Sequence, residues 1–381
     1  MKIGLVLPCS ALALLSLQAC GGDSTPAAPA NNSPSAPPSK PAQASPATAP
    51  ASAETPTPAP PRTPAPTVQT PEPSKKPTGP VRVNYDLVKV LFGNEPPAPT
   101  VDNPSTPEKV ALGKLLYHEK HLSKNGNLSC ASCHDLANHG VDGKRTSPGS
   151  DGKNGERNTP TVWNAFRQYR QFWDGRAESV EEQALVHVLD PVGQGVADEA
   201  ELVKKMKEKP ELVAGFHKAF PGDADAVSVA NFKLAVGAFE RTLVTKSRWD
   251  AYLDGDQKAL TNDEKLGLKT FMDVGCTQCH MSRLVGGNMF QKLGVLKPSP
   301  SKDTGREQVT KSEADRSFFK VASLLNVEKT APYLHDGSMA TLEENITLMA
   351  SIQLDKKLKP EETAAIIAFL KALTGPLPDL K

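Results

Sequence analysis

Two pentads of the form Cys-x-x-Cys-His, Cys130–His134 (CASCH) and Cys276–His280 (CTQCH), constrain this chain more than any other feature. Each sets two thiols on one short turn, at the separation needed for thioether bonds to the two vinyl groups of a haem. The adjoining His is then delivered to the iron. A zinc site usually needs two more Cys or His nearby, and a thioredoxin-like redox pair has no use for His in the fifth position. The motif therefore specifies two covalently bound haem c groups, attached through Cys130 and Cys133 and through Cys276 and Cys279, with His134 and His280 on the irons.

Cysteine usage agrees by exhaustion. Four of the six cysteines belong to the pentads, leaving Cys9 and Cys20. Both lie in an N-terminal segment that starts with Lys2 and continues as an apolar run from Ile3 to Leu17. Leu17-Gln18-Ala19-Cys20 reads as a lipobox, making residues 1–19 a lipoprotein signal peptide and Cys20 the lipid-bearing first residue of the mature chain. The competing reading is an ordinary secretory signal. Both export the chain, since covalent haem attachment is generally periplasmic. Gly21 after the Cys, rather than Asp, points to a periplasm-facing anchor in the outer membrane.

Residues 20–80 are rich in Pro, Ala, Ser and Thr with almost no large apolar side chain, and are expected to form a disordered tether. The formal net charge of +1 offers no case for nucleic acid and excludes no redox partner. What remains is long enough for two domains, 81–245 around the first pentad and 246–381 around the second.

The fold class is mainly α. Thr106-Pro107 predicts a capped helix start, and Val229, Phe232, Val236 and Phe239 recur at helical spacing. Thr261-x-x-Glu264 and Thr341-x-x-Glu344 are capping boxes, and a last helix follows Pro360 and stops near Gly375-Pro376. No sustained alternation argues for a sheet. The pentads lack long similar flanks, so any repeat is one of architecture.

Several stretches then make the chain resemble the bacterial di-haem cytochrome c peroxidases, a family that includes the methylamine-utilisation di-haem enzymes. They are Leu112–Tyr117, Arg157–Val162, Gln171–Ala177, Gly267–Met272, Thr330–Gly337 and Ile366–Gly375, together with pentads 146 residues apart. The resemblance spans essentially 81–381. It implies two cytochrome-c-like domains and an enzyme that reduces hydrogen peroxide to water. Electrons from a small periplasmic cytochrome c or cupredoxin are implied to arrive at the C-terminal haem and pass to the N-terminal one. Members are commonly homodimers.

Residue by residue, the resemblance implies Met349 as the second ligand of the second haem, with Met339 as fallback; a thioether raises the reduction potential. A Met on a helix is otherwise core filler. Trp173 matches the family tryptophan between the haems, where the bland alternative is a packed aromatic. Asn158, Thr330 and Pro332 match an interdomain Ca2+ site built from oxygen ligands.

Departures from the family pattern concern the first haem. In many members a loop His caps that iron; here the loop is Thr146–Gly152, with Ser150 at the His position, so the iron is expected to be open at rest. His139 is a poor replacement, being close to His134. The family lines its peroxide pocket with Gln and Glu. Gln183 matches the Gln, but the Glu falls at Gly193, and the neighbouring Gln194 cannot shuttle a proton. His187, four residues after Gln183 and suited in pKa, is the expected acid–base substitute. His118, His121 and His217 read as helix-surface residues, and His335 as a hydrogen-bonding group near the second haem. Two rivals stand beside the peroxidase: a methylamine-utilisation-type oxidase of a protein substrate, favoured by Ser150 and disfavoured by Met349, and a non-enzymatic tethered electron carrier.

Overall fold

A computed structural model describes residues 79–380. The signal peptide, Cys20 and the tether as far as residue 78 lie outside the described residues.

Most of the helices begin where the sequence supplies hydrogen-bond acceptors for free N–H groups. In chain order they are α1 (Tyr85–Phe92), α2 (Pro107–His118), α3 (Cys130–Cys133), α4 (Val180–Leu189), α5 (Glu199–Lys207) and α6 (Pro210–Ala219). There follow α7 (Val229–Glu240), α8 (Arg248–Leu253), α9 (Asn262–Val274), α10 (Glu307–Thr310), α11 (Leu342–Leu354) and α12 (Pro360–Ala372). Thr106 caps α2, with Pro107 in its first turn, and Ser179 caps α4. Thr261 with Glu264 and Thr341 with Glu344 form the expected capping boxes at the starts of α9 and α11. Among the described residues no helix is long and apolar enough to cross a membrane.

Two helix crossings organise the molecule, and they are built alike. In the first, α2 lies along α7, and a Cβ on Gly113 would stand 2.0 Å from the Ala235 carbonyl oxygen and 2.7 Å from Phe239 Cβ. In the second, α9 lies along α12, and a Cβ on Gly267 would stand 2.0 Å from the Ala365 carbonyl oxygen and 2.8 Å from Phe369 Cβ. One turn after each glycine comes an aromatic ring, Tyr117 or Phe271, packed on Phe239 or Phe369 at 5.2 and 5.4 Å. Only glycine lets the backbones approach so closely. The architectural repeat is thus visible in four matched positions, although the surrounding sequences differ.

Around the second crossing, Trp249, Leu268, Phe271, Leu284, Ile366 and Phe369 form one buried core. Around the first, Leu112, Leu116, Phe216, Phe232 and Val236 form another, flanked by a small cluster of Tyr117, Val162, Trp163, Phe239 and Leu243. The chain ends cross over between them. Val88 and Phe92 of α1 pack in the core with Trp249, whereas Leu377 and Leu380 pack beside Tyr117 and Trp163. The cores therefore do not follow a single cut in the sequence.

Among the described residues, one two-stranded antiparallel ribbon accompanies the helices, within the mainly α class: β1 (Phe290–Lys292) pairs with β2 (Phe318–Lys320). Strands this short show no readable alternation.

Candidate functional site

Both pentads form tight turns. The first is α3, opened by a reciprocal Ser129–Ser132 cap, and the second is a 3₁₀ turn after Gly275, which ends α9 at φ 104°. The two histidines are held in the same way. His134 donates its Nδ1–H to the Gly140 carbonyl at 3.3 Å, and His280 donates its own to Val285 at 3.0 Å. A carbonyl only accepts, so each bond fixes the tautomer and leaves Nε2 as the ligating atom. Burial holds both imidazoles below their ordinary pKa, His134 at about 4. The four thiols form no disulfide, and burial pushes Cys130 and Cys276 up to about 12. A redox dithiol needs the opposite shift.

A largely apolar cavity of about 250 Å³ is lined by Cys276, Cys279, His280 and Met349, with Phe271 and Ile346 among its walls. Asn345, one turn before Met349, also lines it, and its buried Oδ1 has no hydrogen-bond partner. Two thiols, a free imidazole nitrogen, apolar walls and an orphaned polar atom suit a flat apolar group with a polar edge, so the residues fit a haem. Met339, the fallback ligand, packs against the neighbouring core instead, with its backbone paired to Tyr333. At the first pentad, Cys130 and Ala131 pack beside Trp163, whose buried indole N–H is likewise without a partner. That donor suits the carboxylate edge of the same kind of group.

The cavity of the second pentad extends to Trp173, Asn158, Thr330 and Pro332. Trp173 donates its indole N–H to the Asn158 carbonyl at 2.8 Å. The Asn158 side-chain nitrogen donates to Lys144 O at 2.9 Å, which leaves its oxygen as the end to face a cation. His335 is buried, stacked on Phe319 at 4.1 Å, within 2.9 Å of Ser301 Oγ and edge-on to Trp173 at 6.4 Å. Arg157 clamps this region, pairing with Asp174 (2.5 Å) and with Asp303 (2.7 Å).

Near the first pentad, α4 carries both Gln183 and His187 one turn apart, as their spacing requires. The half-buried His187 ring lies beside Gly193: a Cβ there would meet His187 Cε1 at 3.1 Å and His187 O at 2.7 Å. The ring thus stands next to the place where a side chain at position 193 would begin. Burial lowers the His187 pKa; Asp190 opposes the shift and Arg176 reinforces it. His187 also adds, after burial, to the depression of His134, so the two rings lie within electrostatic reach. Gln194 is buried, with its amide 3.8 Å from Cys130 Sγ.

Ser150 is buried, and its hydroxyl donates to Asn127 Oδ1 (2.8 Å) and accepts from Asn125 N (3.2 Å). Its own N–H donates to the Gly193 carbonyl at 2.9 Å, locking this loop onto the turn after α4. His139 lies in a left-handed turn, in the field of Lys329 and Glu328. His118 and His217 are exposed, whereas His121 is half-buried and bonds Glu208 at 2.9 Å. Sequence reading missed Asn345, Trp163 and Lys320, single polar or aromatic residues without a motif, whose importance comes from burial.

A family model described as di-haem cytochrome c peroxidase matches residues 107–258. The cytochrome c551 peroxidase of Nitrosomonas europaea is 42% identical over 297 residues, covering 77% of this chain and 88% of that one. The methylamine utilization protein MauG of Methylophilus methylotrophus is 32% identical over 295 residues, covering 73% and 86%. A crystal structure of a MauG-like protein associated with microbial copper homeostasis superposes with a TM-score of 0.64 at 31% identity, covering 74% and 93%. Helical fold and paired pentads together define a c-type di-haem oxidoreductase. The chain belongs to the di-haem cytochrome c peroxidase family.

Proposed function

We propose that the protein reduces hydrogen peroxide to water with electrons from a small periplasmic cytochrome c or cupredoxin. The observation that carries this reading is the single cavity joining Cys276, Cys279, His280 and Met349 to Trp173. When bound, the two haems supply irons that exchange single electrons. His280 and Met349, which line this cavity, would hold the second haem, and a site so held would serve as the electron-accepting one. Trp173 offers an aromatic step toward the site of His134.

At that first site the chain's own residues supply proton handling. Gln183 orients hydrogen peroxide by its amide. His187, kept neutral by burial, accepts a proton from one peroxide oxygen and returns it to the departing one. Two electrons and two further protons complete the conversion to two waters. Ser150, engaged by Asn125 and Asn127, would leave an iron held by His134 uncapped at rest.

Asn158 Oδ1 with the Thr330 and Pro332 carbonyls forms the Ca2+ site in this reading. Cys20 anchors the protein to the outer membrane, facing the periplasm, and two copies associate as a homodimer. A protein-modifying oxidase of the methylamine-utilisation type is the second reading, favoured by the engaged Ser150.

The deciding experiment is a resting ferric spectrum followed by peroxide addition with a reduced small cytochrome present. A high-spin haem and rapid cytochrome oxidation are expected. Two low-spin haems would reject the open site, and a long-lived oxidised species indifferent to the cytochrome would favour the second reading.

A further inference from the structure

Lys320 is buried, yet its ammonium has one partner, the Gln168 side-chain oxygen, which carries no charge. Among the described residues no carboxylate pairs with it, whereas Glu181 is matched by Arg241, and Asp174 by Arg157 and Arg176. Burial alone lowers its pKa to about 7. A buried cation without an anion is strongly disfavoured, and proteins retain one where a ligand supplies the opposite charge. Both Lys320 and Gln168 line the cavity that holds Cys276, Cys279 and His280.

We infer that Lys320 is the counter-charge for a carboxylate of the group bound at the second pentad: an ion pair between its ammonium and a haem propionate. The inference rests on the haem reading of Cys276–His280. The required anion belongs to the ligand, which explains why the protein provides none. Gln168 holds the ammonium from the other side. Lys320 also donates its backbone N–H to the Trp173 carbonyl at 2.7 Å, so the same residue ties the ligand's edge to the relay loop. Lys320 is therefore a positioning residue, acting on the potential of the second haem and on the placement of Trp173.

The test uses the full-length, haem-loaded protein and the variants Lys320→Met and Lys320→Arg. Haem content is measured by mass spectrometry, and the midpoint potential of each haem by spectroscopic redox titration. In Lys320→Met, loss of the cation leaves a buried carboxylate unpaired and stabilises the ferric state. At fixed potential the ferrous-to-ferric ratio of the second haem should fall about tenfold, a shift of roughly 59 mV for one electron. Lys320→Arg, which keeps the charge, should stay within about twofold of wild type. Unchanged potentials in Lys320→Met, or an equal fall in both variants, would overturn the inference. A small buffer anion as the true partner would make the wild-type potential depend on phosphate concentration, and that result would also overturn it. Fewer than two haems on the wild-type chain would instead reject the reading of the pentads.

Discussion

The indole nitrogen of Trp173 and the main-chain carbonyl of Asn158 stand 2.8 Å apart in a direct hydrogen bond. The residue proposed to relay electrons is thus one bond from the residue proposed to hold calcium. Asn158 also donates its backbone N–H to His335 O at 2.7 Å, so a cation that fixes Asn158 would fix the tryptophan.

Removing divalent cations with a chelator is therefore expected to slow electron transfer between the haems, with recovery on adding Ca2+. Stopped-flow reduction of the first haem reads this out. Asn158→Ala should show the slow rate with or without Ca2+. Chelator-treated wild-type protein that transfers electrons at the untreated rate would disprove the coupling.

His187→Ala is expected to lower peroxide turnover by about 100-fold or more, the usual contribution of a positioned proton-transfer group. The resting spectra of both haems should not change, because Gly140 rather than His187 orients His134. Turnover close to wild type would eliminate His187 as the proton carrier.

The matched glycines give a stability prediction. Gly267→Ala places a methyl group 2.0 Å from the Ala365 carbonyl and forces α9 away from α12. The expected cost is about 1–3 kcal/mol, as for other overpacked contacts, measured by chemical denaturation. Gly113→Ala should do the same at the crossing of α2 and α7. Wild-type stability in both variants would contradict the close approach.

Glu240 sets a pH dependence. Burial, followed by the nearby Glu181 and against the pull of Arg241, raises its pKa from 4.5 to about 8. The folded carboxyl keeps its proton in a window where the unfolded one has released it. The folded chain therefore binds more protons there, and stability falls as pH rises from about 4.5 to about 8. Denaturation at pH 5 and pH 8 should show the loss of this contribution, on the order of a few kcal/mol, in wild type. Glu240→Gln should reduce that loss, and an identical pH dependence in the variant would refute the assignment.

The sequence by itself determined the cofactor, the helical class and the starts of α2, α9, α11 and α12. These are local properties: a pentad is contiguous, and capping residues such as Thr261 and Glu264 act within one turn. It also placed Gln183 and His187 on one helical face, because α4 continues without a break. Tertiary structure decided what depends on contacts between distant segments. It set Met349, rather than Met339, in the cavity with His280. It laid His187 beside Gly193, engaged the Ser150 hydroxyl with Asn125 and Asn127, and packed α1 with the core of the second pentad. Lys320 shows the difference most clearly. In sequence it is one lysine among many, and only burial without a carboxylate turns it into a demand for an anion.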